Sequence, residues 1–262
     1  MDLDVVSRAI RFAERQEIAP RFGRLRSGDI EEKSPGEVVT AADRACEALL
    51  TLLLRDIRDV PVVGEEAASA DPGLFGVIDT APEAWVVDPL DGTTNFATGS
   101  PDYAVMVAHV RHGLAVASWI WIPAVGQMCV AERGAGSYTN GARVQGEPLA
   151  SLQQLHGVVK HRFLPDDVAE RVVANEHRFA AHLPGRNCAG IEYPTLVAGD
   201  VDFLLYWRTL PWDHAPGVLF AEEAGFRAAR PDGTAYRCGD GRHGLVVAHR
   251  DVCDDVRIAL LG

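Results

Sequence analysis

Two carboxylates three residues apart at the end of a short apolar run constrain this chain more than any other feature. They lie in Trp85-Val86-Val87-Asp88-Pro89-Leu90-Asp91-Gly92-Thr93-Thr94-Asn95-Phe96. The run is too short for a helix and is bounded by Pro and Gly, so it reads as a buried strand that ends where the chain changes direction. Asp88 then stands at the C-terminal end of a strand, the place where α/β proteins hold their ligands. Pro89 disfavours helix at Asp88, and Gly92 permits unusual backbone angles. The two carboxylates are therefore expected to turn toward one point instead of alternating across a sheet. Such a point is strongly anionic and calls for a cation.

Composition narrows the partners. With 262 residues, 47% of them hydrophobic, the chain can bury one large core or two smaller lobes without staples. The net charge of -12 and the lack of a basic stripe argue against nucleic-acid binding, whereas metal ions can reverse the local sign of an acidic pocket for an anionic substrate. Cys46, Cys129, Cys188, Cys238 and Cys253 are widely spaced and form no C-x-x-C pair, which points to reduced thiols in a cytoplasmic protein. No leader segment and no apolar stretch long enough to span a bilayer is expected.

The elements follow from local patterns. Leu3, Val6, Ile10, Ala13 and Ile18 predict an amphipathic helix over residues 2–22, ending near Pro20. Residues 31–37 read as a polar loop carrying Lys33. A helix follows through Cys46, Leu49, Leu50, Leu53 and Ile57, with Thr40 as N-cap and Asp43 as the matching acid, which leaves Asp43 either a capping residue or part of a site. Pro61-Val62-Val63-Gly64-Glu65-Glu66 is a second strand ending in acids, and residues 67–84 read as a surface excursion with at most a turn of helix.

Strands over 103–110, 114–122 and 127–132 suggest a meander, with Trp119 and Trp121 sharing one face, and Asn140-Gly141 marks a hairpin. Gly146-Glu147-Pro148 is the expected boundary between an α+β lobe (1–146) and an α/β lobe (147–262). The second lobe should contain strands over 155–159, 186–189, 201–206 and 245–248. Its helices should cover 166–179, 193–198, a segment opened by Pro211-Trp212-Asp213, and the C-terminal residues from about 251.

Oxygen-rich acid clusters suit Mg²⁺, and two such ions can share a bridging carboxylate, activate water and neutralise a phosphate being displaced. Asp88 is the natural bridge, with Asp91 and Glu65 flanking it. If Gly92-Thr93-Thr94 opens a helix, its free N–H groups face phosphate oxygens.

These motifs resemble the inositol monophosphatase family of Mg²⁺-dependent, lithium-sensitive phosphatases. The resemblance rests on Glu32-Lys33-Ser34, Val38 to Asp43, Gly64-Glu65-Glu66, the Trp85 to Phe96 block and Trp212-Asp213 with the turn at 215–217, in that order. It implies an α/β fold layered as an αβαβα sandwich, of the inositol monophosphatase and fructose-1,6-bisphosphatase type. It also implies a homodimer and two or three Mg²⁺ ions. Glu65, Asp88, Asp91, Asp213 and the Leu90 carbonyl would hold metal. Thr93 paired with Asp43 would orient the attacking water, Glu65 would be the nearest base, and Gly92, Thr93 and Thr94 would hold the phosphate of a small phosphorylated alcohol, with Lys33 close to the metals.

The pattern departs from the family on the alcohol side. Members acting on inositol phosphates carry a Gly-Ser/Thr-Ala-Ala type motif where this chain reads Cys188-Ala189-Gly190-Ile191-Glu192-Tyr193, and they place a Glu where this chain has Tyr206. A phenol cannot replace a carboxylate as an acceptor for two hydroxyls. Glu192 and Tyr206, with Arg208, are the candidate substrate-selecting residues. Histidinol phosphate, nucleotide phosphates and sugar bisphosphates remain alternative substrates. A non-catalytic protein that keeps the fold to bind a metabolite is the alternative of another class.

Overall fold

Alternate residues of the strand Glu83–Asp91 enter two different cores. Trp85 and Val87 pack on one side with Ile10, Cys46 and Leu50, whereas Val86 packs on the opposite side with Val63 and Met106. That is the period-two signature of a strand buried on both faces. The computed structural model describes residues 2–34, 36–147 and 151–262. In chain order its strands are β1 (Ile30–Ser34), β2 (Glu37–Thr40), β3 (Val62–Gly64), β4 (Glu83–Asp91), β5 (Ala104–Arg111), β6 (Leu114–Ile122), β7 (Gln127–Glu132), β8 (Gly136–Thr139), β9 (Ala142–Val144), β10 (His156–Val159), β11 (Ala181–Leu183), β12 (Phe203–Tyr206), β13 (Phe226–Ala229) and β14 (Leu245–His249). The helices are α1 (Leu3–Ala13), α2 (Ala41–Ile57), α3 (Glu65–Ala70), α4 (Phe75–Thr80), α5 (Thr93–Ala97), α6 (Asp166–Asn175), α7 (Ala189–Ala198), α8 (Pro211–Glu223) and α9 (Cys253–Leu261).

The strands β3 to β9 form a seven-stranded sheet in sequence order, parallel only between β3 and β4 and otherwise the expected meander. A five-stranded mixed sheet runs β11-β10-β12-β14-β13. Helices α1 and α2 cover the outer face of the first sheet, α7 and α8 fill the space between the sheets, and α6 and α9 cover the outer face of the second. The result is the five-layer αβαβα arrangement. Apart from Asp213, helix α8 is buried all round from Trp212 through Phe220, as the innermost helix of a sandwich must be. No helix among the described residues is long and apolar enough to cross a membrane. All five cysteines are buried and free.

Several expectations are corrected. The predicted helix over 2–22 is α-helical only to Ala13 and continues as a π turn (Glu14–Ile18) and a 3₁₀ turn (Ala19–Arg21), where Pro20 has no N–H to continue the ladder. Residues read as a polar loop form the antiparallel β1–β2 hairpin, an outlying ribbon without apolar alternation; Pro35 lies outside the described residues. The supposed surface excursion holds α3 and α4, which bury Ala68 and Ile78, and the start of β4. No strand spans 186–189: the strand lies earlier, at β11, and α7 already begins at Ala189. At the expected lobe boundary, Pro148 lies outside the described residues.

Candidate active site

Pairing between β4 and β5 slips at the acidic turn. Asp88 faces Met106 and Asp91 faces Ala104, so β4 spends three steps where β5 spends two. In a regular strand, residues three apart point to opposite faces; the extra residue of this bulge returns Asp91 to the same side as Asp88. Pro89 belongs here because it has no N–H for the ladder. Gly92 follows with φ 86°, and a Cβ there would lie 2.7 Å from the Asp102 carbonyl. Only glycine meets both demands.

The cleft that results has a volume of about 460 Å³ and gathers Lys33, Glu65, Asp88, Leu90, Asp91, Gly92, Thr93, Thr94, Glu192, Tyr206 and Asp213. Asp43 lies behind its wall. It accepts the Thr40 N–H at 2.9 Å on Oδ2, as the capping box requires, and the Thr93 hydroxyl at 2.9 Å on Oδ1. It is thus both a cap and a partner of the site. Asp213 enters from the first turn of α8, and Glu65 is the first residue of α3. Lys33 Nζ stands 3.2 Å from Glu65 Oε1 and 2.5 Å from Glu66 Oε1.

Burial and mutual repulsion raise the proton affinity of the whole acidic group. Glu65 is pushed up to about 8 by burial, against the pull of Lys33 and with Asp213 and Glu66 adding to the rise. Burial raises Asp213 to about 7, with Asp91 adding and Arg208 opposing. Asp88 is raised well above the usual range by burial and by Glu65, Asp91 and Asp213. Asp91 reaches about 6 despite the Gly190 N–H at 2.6 Å and the Cys188 thiol at 3.2 Å. Asp43 also rises to about 6 through burial, held back by Thr40 and Thr93. Lys33 and Arg208 offset only part of the cost of burying so many carboxylates together.

The donor set fits a hard divalent cation. It consists of four carboxylates and the Leu90 carbonyl, with no sulfur or imidazole donor among them. Among the described residues, no three His, Cys, Asp or Glu side chains already converge as the shell of one ion. Lys33 bridges Glu65 and Glu66, so these contacts must open for the Glu65 oxygens to turn on a metal.

Some participants were not legible in the sequence. Glu47 accepts the Glu66 and Ala67 N–H groups at 2.7 and 2.8 Å and so anchors the start of α3. Its spacing of four from Asp43 on α2 is the only sequence hint. Glu192 Oε1 accepts the Arg186 and Asn187 N–H groups and lies 2.5 Å from Lys160 Nζ, while Oε2 takes the Tyr206 hydroxyl at 2.7 Å. Glu192 and Tyr206 thus meet in the cleft wall as hydrogen-bond partners. Across the mouth, Arg208 pairs with Glu37 of β2, stacks over the Phe163 ring at 4.1 Å, and Arg162 donates to the Gly36 carbonyl at 3.1 Å.

The sequence model of the inositol monophosphatase family matches residues 3–259. A fructose-1,6-bisphosphatase/inositol-1-monophosphatase of Thermotoga maritima is 28% identical over 74% of this chain and 72% of its own. A histidinol-phosphatase of Chlorobaculum parvum is 32% identical over 78% and 76% of the two chains. Among solved structures, the extragenic suppressor protein SuhB from Bartonella henselae superposes with a TM-score of 0.83 at 24% identity, covering 98% of this chain and 97% of that one. The chain belongs to the inositol monophosphatase family, whose members are phosphoric monoester hydrolases.

Proposed function

We propose that the protein is a Mg²⁺-dependent phosphomonoesterase that hydrolyses a small phosphorylated alcohol by direct attack of water. The observation that carries this reading is the convergence of Glu65, Asp88, Asp91 and Asp213 on one cleft, beside a Thr93–Asp43 pair. Glu65, Asp88, Asp91, Asp213 and the Leu90 carbonyl would hold two or three Mg²⁺ ions, Asp88 as the bridge. Bound Mg²⁺ would supply Lewis acidity and lower the pKa of water.

The chain's own residues do the rest. Asp43 accepts a hydrogen bond from the Thr93 hydroxyl, which leaves a lone pair of Thr93 Oγ1 to accept a hydrogen bond from the attacking water and orient it toward phosphorus. Glu65 is the base nearest that water. The N–H groups at Gly92, Thr93 and Thr94 face the phosphate, with α5 starting at Thr93 and Gly92 as its cap. Lys33, on the β1–β2 hairpin, tempers the charge of Glu65. Residues 1–146 would form the lobe carrying most metal ligands, and residues 147–262 the lobe that brings Asp213 and the substrate-selecting wall.

Phosphate release from p-nitrophenyl phosphate and a panel of sugar, inositol, nucleotide and histidinol phosphates is expected with Mg²⁺ and absent with chelator or in Asp91→Asn. A protein that binds phosphate compounds but turns none over would be a binding module instead. Histidinol phosphate is the runner-up substrate, supported by the activity named for one relative. We also read a cytoplasmic homodimer inhibited by lithium, checked by sedimentation and by Li⁺ titration of the same assay.

A further inference from the structure

Opposite the acidic cluster, the cleft wall is built around a lysine. Lys160 Nζ lies 2.5 Å from Glu192 Oε1 and 3.2 Å from Asn187 Oδ1. An ammonium has three donors, so one remains for whatever occupies the cleft that Lys160 lines. The arrangement depends on Gly185, where a Cβ would lie 2.5 Å from Lys160 Nζ and 2.7 Å from Glu192 Oε1.

The acceptors of this wall are engaged. Glu192 is 1% exposed and takes donors on both oxygens; the Tyr206 proton is spent on it, and Glu37 is paired with Arg208. A polyhydroxyl group placed here would find few acceptors for its O–H donors, and unmet polar groups in a closed site are penalised heavily. The charges point the same way. Lys160 meets one carboxylate, Glu192, and keeps one donor, which suits a singly charged carboxylate better than a second phosphate carrying close to two charges.

We propose that Lys160 is the specificity-determining residue of the cleft and selects phosphomonoesters whose alcohol portion carries a carboxylate. This rests on the phosphatase reading above. It is tested with two probes of similar size, 3-phosphoglycerate and glycerol 3-phosphate, which differ by a carboxylate against a hydroxymethyl group. With Mg²⁺, the wild-type enzyme is expected to favour 3-phosphoglycerate by about tenfold or more in kcat/KM, the worth of one charge-assisted hydrogen bond. In Lys160→Met that ratio should fall to within about threefold, through KM, while Lys160→Arg retains part of it. Equal use of both probes by the wild type, or a preference unchanged in Lys160→Met, overturns the proposal; the wild-type comparison needs no variant to fold. A Lys160-dependent preference for fructose 1,6-bisphosphate over both probes overturns the carboxylate assignment in favour of a second phosphate. Absence of any p-nitrophenyl phosphate turnover would instead sink the phosphatase reading.

Discussion

Thr93 Oγ1 lies 2.9 Å from Asp43 Oδ1 and equally 2.9 Å from the Leu90 carbonyl, so a hydroxyl with one proton stands between a helix cap and the acidic turn. Because the same Asp43 carboxylate also caps α2 through Thr40, the position of Thr93 is tied to the start of a 17-residue helix. Thr93→Ala and Asp43→Asn are each expected to lower kcat about a hundredfold, with KM changed far less. Thr93→Ser, which keeps the hydroxyl, should recover most of it. Steady-state rates on p-nitrophenyl phosphate decide, and a Thr93→Ala enzyme at full kcat would remove the pair from the reaction.

Stability of the metal-free protein should fall as pH rises from 7 to 9. Glu65 at about 8 and Asp213 at about 7 stand above their ordinary 4.5 and 3.8, so the folded state holds these protons more tightly than the unfolded chain. Their contribution is complete below about pH 4 and is lost as pH climbs through the folded values. Buried His214, pushed down to about 3 from 6.5, acts in the opposite sense, but its change is over by pH 7. Thermal melts in chelator should show Tm declining across this window, and Mg²⁺ should offset the decline most at the alkaline end, where the carboxylates are free to bind it. A metal-free Tm that is flat or rising from pH 7 to 9 would contradict the assignment.

Tyr206→Phe is expected to cost about 1–3 kcal/mol, because it leaves Glu192 Oε2 buried without its donor. Urea unfolding measures it directly. A loss no greater than that of an ordinary surface substitution would mean that the Tyr206–Glu192 bond is weak or replaced by water.

Gly64→Ala should damage both stability and metal binding. A Cβ at residue 64 would lie 2.2 Å from the Glu47 carboxyl carbon, and that carboxylate anchors the N–H groups of Glu66 and Ala67 at the start of α3. The expected loss is about 1–3 kcal/mol, together with weaker Mg²⁺ binding by calorimetry, since Glu65 leaves the same helix turn. Intact Mg²⁺ affinity in a folded Gly64→Ala protein would separate Glu47 from the positioning of Glu65.

Local spacing carried much of this molecule. The alternation along β4 and β5, the capping box at Thr40 and Asp43, the meander and the acidic turn are all properties of neighbouring residues, and their geometry follows from the periods of strand and helix. Elements without a period are not legible in the sequence. The β1–β2 hairpin is a polar ribbon, and α3 and α4 are too short to display a face.

The sequence by itself determined the shape of the acidic turn, because Asp88, Pro89, Asp91 and Gly92 act through a few bonds of backbone, and its order of motifs determined the layered α/β class through resemblance to a family. Only the tertiary structure decided the cleft wall around Glu192. The meetings of Glu192 with Lys160 and Tyr206, of Gly64 with Glu47 and of Arg208 with Glu37 join residues from different elements. Such encounters depend on how sheets and helices stack, and no local period encodes them.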